Sequence, residues 1–194
     1  TFGTAGSVTS VRGTLSLQVT GLNGKLTAKA VMQKGLLSFG AAAWTTVRAD
    51  GTKLVTLRAK GGETLELFVR QNRIWGTLAN GTLGRTTLSL DGARNRFADR
   101  KDTAALALLN GYLGYYTVAL PVAEALSLGA AKAAPLGTGY LTLTVGSGGS
   151  AKVAGVLADG TRVSQASRLI LFGACGPEAC VPLFLPLYAK TGWV

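Results

Sequence analysis

The sequence has no histidine, one methionine, five prolines and only nine acidic residues among 194. The absence of histidine excludes Ser-His-Asp and Cys-His catalysis, imidazole proton transfer and His-ligated zinc together. Charged residues make up 15% of the chain and hydrophobic residues 47%, which excludes intrinsic disorder. Glu, Gln and Lys give way to Gly, Thr and Val, which argues against a helix-rich enzyme. At this length the chain can bury a real core without a metal or disulfide framework.

The shortage of acids leaves 20 Lys and Arg against nine Asp and Glu, a net charge of +11. Residues 1–98 hold 13 basic and 4 acidic side chains, and residues 99–194 hold 7 and 5. A field of this sign attracts polyanions: nucleic acid, acidic or sulfated glycans, lipopolysaccharide and anionic lipid headgroups. No run of consecutive basic residues concentrates it, so basic side chains kept for solubility would give the same composition.

The cysteines are Cys175 and Cys180, in the segment CGPEAC. Gly-Pro is turn chemistry, so the segment reads as a hairpin tip whose ends are close enough to bridge. A metal site would need further Cys or His, and a redox pair has two intervening residues rather than four. A structural disulfide is expected, and with it an oxidising compartment, extracellular or at the cell surface. The weakly charged stretch at 103–131 breaks into helix, strand and turn on Asn110, Gly111, Gly114, Pro121 and Glu124, so no transmembrane helix is expected. The opening TFGTAG has neither a basic n-region nor an apolar h-region, so any signal peptide would precede it.

Period-two alternation dominates. Leu15, Leu17 and Val19 alternate with Ser16, Gln18 and Thr20, and Leu141, Leu143 and Val145 with Thr142 and Thr144. Turn signals separate such runs at Asn23-Gly24, Asp50-Gly51, Gly61-Gly62, Asn80-Gly81, Asp91-Gly92, 146–150 and Asp159-Gly160. There is also an internal repeat: GTLSLQV at 13–19 matches GYLTLTV at 139–145, and LFVRQNRIW at 67–75 matches LPLYAKTGW at 185–193. Between the repeats, Asp99 and Asp102 precede an Ala/Leu body that stops at Asn110-Gly111, which reads as a helix. The expected fold is all-β: a pseudo-symmetric antiparallel β-barrel or sandwich built from two homologous units of about six strands each. The first unit spans 1–98, a helical connector 99–110 and the second unit 111–194, the two closing into one barrel.

Four segments carry a resemblance: GYYTVALP at 114–121, GTGYLTLTV at 137–145, LADGT at 157–161 and VPLFLPLY at 181–188. Together they resemble a β-rich repeat domain that recurs in large secreted or surface proteins of environmental bacteria. The resemblance covers residues 85–194 and reaches the first unit only through the internal repeat. It implies a secreted architecture and neighbouring domains of a larger surface protein, and brings no established activity and no catalytic residues.

Without histidine, catalysis would need paired carboxylates, a Lys or Cys nucleophile or a metal. Asp50, Asp91 and Asp159 precede glycine in expected turns, Asp99 and Asp102 start the helix, and Glu178 sits at a turn tip. Glu63 and Glu66, three apart in a strand, point to opposite faces, which is poor geometry for a glycosidase pair. No Asp-x-Asp-x-Asp loop suggests calcium. The glycine-rich 146–150 lies between strands rather than before a helix. The chain is therefore read as no enzyme, with no catalytic residue, metal or cofactor.

For binding, Arg70, Gln71, Asn72, Arg73 and Trp75 lie together after the apolar run 65–69. Trp with Arg and amide side chains can stack on a sugar ring while holding its hydroxyl and acid groups. The same set would serve single-stranded nucleic acid. The competing reading puts Ile74 and Trp75 in the core, since Trp75 has a repeat partner in Trp193. Arg94 and Arg96 form a second basic cluster on the connector, where a plain solvated linker would look the same. Two functional readings follow. One is a non-enzymatic secreted or cell-surface β-barrel module with a structural, adhesive or assembly role, self-association included. The other is a carbohydrate- or polyanion-binding module that uses the basic, Trp/Arg-bearing surface, with acidic glycans as partners.

Overall fold

The computed structural model describes residues 2–4, 13–20, 24–32, 35–79, 87–121, 137–171, 179–187 and 192–193. The protein is all-β, with every described strand pair antiparallel. Its contacts group it into two compact units, Thr1–Arg94 with Ile170–Val194, and Asn95–Leu169. The cuts thus fall at 94/95 and 169/170, where the sequence suggested 98/99 and 110/111. The connector helix groups with the strands that follow it, and the segment after 169 groups with the first half.

In the first unit, nine strands form one sheet. They are β1 (Phe2–Thr4), β2 (Gly13–Thr20), β3 (Lys25–Met32), β4 (Gly35–Ala42), β5 (Thr46–Val47), β6 (Lys53–Arg58), β7 (Thr64–Arg70), β8 (Arg73–Ala79) and β9 (Leu88–Ala93). Their order is β4-β3-β2-β1-β9-β8-β7-β6-β5. Alternation in the sequence becomes alternation across the sheet: Leu26, Ala28, Ala30 and Met32 of β3 are buried while Lys25, Lys29 and Val31 are exposed. The inward residues of strands far apart in the order, such as Leu26, Phe39, Val55, Leu65, Leu67, Leu78 and Leu90, form a single core cluster. The sheet therefore coils until its two ends meet, and Phe39 of β4 bridges Ala59 just beyond β6. Among the described residues that contact is a single bridge rather than a continuous ladder, the arrangement of a sheet folded over one core, as in a sandwich.

Two turns repeat one device. The side chains of Asp50 and Asp159 accept hydrogen bonds from the backbone N–H groups of Thr52 and Thr161, both at 2.9 Å. The intervening Gly51 and Gly160 take φ of +80° and +83°, which glycine adopts without steric cost. Asp91-Gly92, expected as a turn by the same signal, instead lies inside β9. Asp91 is opposite Trp75 and Gly92 is buried opposite Ile74. The Asp91 side chain is occupied by a cross-strand arginine, so it does not direct the chain to reverse. Asn80-Gly81 lies outside the described residues.

The second unit opens with a 3-10 turn (Arg96–Ala98) and helix α1 (Thr103–Asn110), followed by β10 (Gly114–Leu120), β11 (Gly139–Val145), β12 (Ser150–Val156) and β13 (Arg162–Arg168) in one meander. Asp102 caps α1, accepting from the Ala105 N–H at 3.0 Å. One sheet face buries Leu141, Val145, Ala151, Val153 and Val163. Phe97 fills the space that a side chain at Gly149 would need. The repeat read from sequence reappears as matching three-strand meanders. Val19 is opposite Leu26 at the β2–β3 turn, and Val145 is opposite Ala151 at the β11–β12 turn. Short ladders complete the first unit: β14 (Ile170–Leu171) with β15 (Ala179–Cys180), and β16 (Pro186–Leu187) with β17 (Gly192–Trp193). Of the two cysteines, Cys175 lies outside the described residues and Cys180 is opposite Ile170. No described helix is long and apolar enough to cross a membrane.

A glycine inside β8 tests the close strand approach. A Cβ at Gly76 would run into the Glu66 carbonyl and the Leu67 backbone of β7, whereas one at Gly40 would meet nothing within 4 Å. Gly76→Ala is expected to cost about 1–3 kcal/mol by urea denaturation, and Gly40→Ala close to nothing. Equal costs would refute the register of β7 against β8.

Candidate functional site

The cluster singled out in the sequence folds into the β7–β8 hairpin. Arg70 is opposite Arg73, so Gln71 and Asn72 alone make the turn. All four are exposed. Gln71 takes φ of 52°, the left-handed region that non-glycine residues enter at a cost. Arg94 is held at the same end of the sheet, its N–H donating to the Asn72 carbonyl at 2.7 Å.

Alternation then settles where Trp75 points. Ile74, Gly76 and Leu78 face the core, and so do Leu65 and Leu67 of β7. Trp75 and its partner Phe68 therefore lie on the outer face, half-buried, with centroids 5.9 Å apart and planes 14° from parallel. Trp193, its counterpart in the repeat, lies on β17 opposite Pro186.

Arginines flank this aromatic pair. The Arg73 guanidinium lies 5.6 Å from the Trp75 centroid and that of Arg48 lies 5.1 Å from Phe68. Arg73 also makes a forked pair with Asp91, its Nε at 3.2 Å from Oδ1 and its Nη2 at 3.1 Å from Oδ2. That hydrogen bonding, with the charge of Asp91 behind it, raises the Arg73 pKa further above its usual value. Arg70 lies 3.5 Å from Asp50, both half-exposed, a surface geometry that adds little to stability. Asp50 is itself held below the usual carboxylate range, first by its hydrogen bonds from Thr52 and then by the charges of Arg70 and Arg48. Lys53, next along on β6, lies 5.7 Å from the Trp44 ring.

The structure thus brings together Arg70, Arg73 and Trp75, with the Arg94 backbone bound at the same end of the sheet. Arg96 belongs to the second unit, where its Nε and Nη2 hold the two oxygens of Asp102 at 2.7 and 2.8 Å. It braces the carboxylate that caps α1. Sequence reasoning missed Phe68 and Arg48. Phe68 could have been found, because the alternation of Leu65, Leu67 and Val69 leaves it the outward aromatic of its strand. Arg48 reaches the site through the turn before β6, and no local pattern marks it.

The described aspartates hold structural posts. Asp50 and Asp159 close turns, Asp91 pairs with Arg73, Asp102 caps a helix, and Asp99 accepts from the Lys101 N–H at 3.0 Å. Glu63 is fully buried, whereas Glu66 lies on the outer face of β7. On the second unit, a groove of about 320 Å³ crosses the polar sheet face over Thr142, Thr144, Lys152 and Ser164. No protein-family model, curated protein or solved structure matches the chain.

Two consequences follow for this hairpin. Replacing Gln71 by glycine removes the left-handed penalty and is expected to stabilise the protein by about 0.5–1 kcal/mol in denaturant titration; a loss of stability would show that the Gln71 side chain holds the turn. Because the Asp50 pKa is lowered on folding, its contribution is present above the unfolded value near about 4 and disappears as pH falls through the folded value. Asp50→Asn should therefore flatten the acid limb of the stability profile below about pH 4. An unchanged acid limb would mean that the turn, not the charge, sets Asp50's role.

Proposed function

We propose that the chain is a non-enzymatic β module of a larger secreted or cell-surface protein. Of the structural, assembly and adhesive roles open to such a module, its outer face favours adhesion, through contact with acidic glycans. The observation that carries this reading is the stacked Phe68–Trp75 pair with Arg48 and Arg73 against its rings and Arg70 at the same end of the outer face of the coiled sheet. A half-buried aromatic pair on the side away from the core, with the guanidinium groups of Arg73 and Arg48 over its rings, makes a mixed aromatic and cationic surface suited to a sugar that carries an acid group. The Arg48 guanidinium is the one there suited to carboxylate or sulfate, since Arg73 is held by Asp91 and Arg70 by Asp50. Arg48 and Arg94 have no ion pair among the described residues, and the basic excess of residues 1–98 adds a long-range field. A Cys175–Cys180 disulfide belongs to the same proposal and supports an oxidising compartment.

Binding of the purified chain to an array of acidic and neutral glycans, at low and high salt, tests the reading. Saturable binding to a defined acidic glycan is expected. Trp75→Ala should weaken it about tenfold, the scale of one lost stacking contact of ~1–3 kcal/mol. Arg48→Ala should weaken it and reduce its salt dependence. Equal binding to every polyanion, only at low salt and indifferent to Trp75, would reduce the effect to bulk charge. No binding at all would return the module to a structural or assembly role.

A further inference from the structure

The two edges of the sheet in the second unit are built differently. Strand β13 reads RVSQASR, with exposed Arg162 and Arg168 at its ends and Ser164, Gln165 and Ser167 between, the kind of edge that resists pairing with another strand. Strand β10 at the other edge reads GYYTVAL, with no charge, no proline and no bulge in its pairing with β11. Six of its seven residues are exposed, on both faces. Tyr115 is 67% and Tyr116 39% exposed, and Tyr112, Leu113, Val118 and Tyr140 surround them as further exposed apolar side chains. The Tyr116 hydroxyl donates to the Tyr112 carbonyl at 2.8 Å, so the ring is pinned with its polar atom already bonded.

We propose that β10 is a self-association edge whose occupant is β10 of a second copy, paired antiparallel about a two-fold axis through Thr117. The sequence of the strand is complementary to its own reversal in that register. Tyr115 would be opposite Ala119 of the other copy, large against small on one face. Tyr116 would be opposite Val118, an aromatic against a β-branched residue on the other, with Thr117 opposite Thr117 at the centre. The pairing joins two four-stranded sheets into one of eight and satisfies the backbone groups of both open edges. Pairing of this kind rests on the backbone hydrogen bonds of the edge and on the flanks of the cross-strand pairs, since both sheet faces stay open to water. The contact is uncharged, so salt leaves it intact, unlike polyanion binding on the other unit.

Sedimentation of the whole chain from micromolar to near-millimolar concentration tests this, at low and high salt. A monomer–dimer equilibrium is expected that persists in high salt. Val118→Lys and Tyr115→Lys should each weaken it about tenfold or more, because each removes an apolar cross-strand pair and a lysine on an edge strand resists pairing. Tyr115 is exposed enough that its substitution keeps the test valid should Val118→Lys impair folding. Hydrogen exchange adds the local readout: amides of residues 114–120 should be protected at high concentration and exchange faster on dilution. A chain monomeric throughout, or a dimer indifferent to both lysines, overturns the proposal. So does concentration-independent protection of those amides, which would mean that the chain covers the edge itself.

Discussion

Burial of one face of a long antiparallel sheet against itself is the constraint on which the first unit rests. Leu26, Leu65, Leu67 and Leu78 contribute nothing to the surface, although they come from strands spread across the sheet order. Such a core forms only if the sheet coils, and coiling leaves every second residue facing water. The outer face is therefore free to vary in chemistry as long as the inner face keeps its volume. Phe68 and Trp75 lie on that face as a consequence of their neighbours' burial. The arginines around them add charge at little cost to the fold.

Much of this was legible in the residues. The alternating runs located β2, β3, β11 and β12, and the internal match at 13–19 and 139–145 foretold two meanders of the same plan. Asp102, with an Ala/Leu body and Asn110-Gly111 after it, marked α1 and its stop. Less legible was anything that depends on a partner strand. Asp91-Gly92 carries the same local signal as Asp50-Gly51 and Asp159-Gly160, yet only the latter two make turns. What separates them is Arg73 on β8, eighteen residues earlier, which binds the Asp91 carboxylate. Ile74 and Trp75 are both apolar, and choosing which faces inward required the register against Leu67 and Phe68.

The same dependence explains the basic residues. Arg70, Arg73, Arg94 and Arg96 look alike as a sequence of exposed cations. Three gather at one end of a sheet because a two-residue hairpin and one backbone hydrogen bond bring them there. The fourth is drawn to Asp102 and becomes part of a helix start. Distance along the chain separates Arg94 and Arg96 by almost nothing, and the boundary between the two units runs between them.

That boundary has a mechanical meaning. The chain leaves the first unit after Arg94 and rejoins it at Ile170, where β14 touches β9, so residues 95–169 form a closed excursion rather than a bead on a string. Tension applied at both ends of these 194 residues would load the ladders of the first unit before any reached the second. The inserted meander is shielded from stretching for as long as its host stays folded.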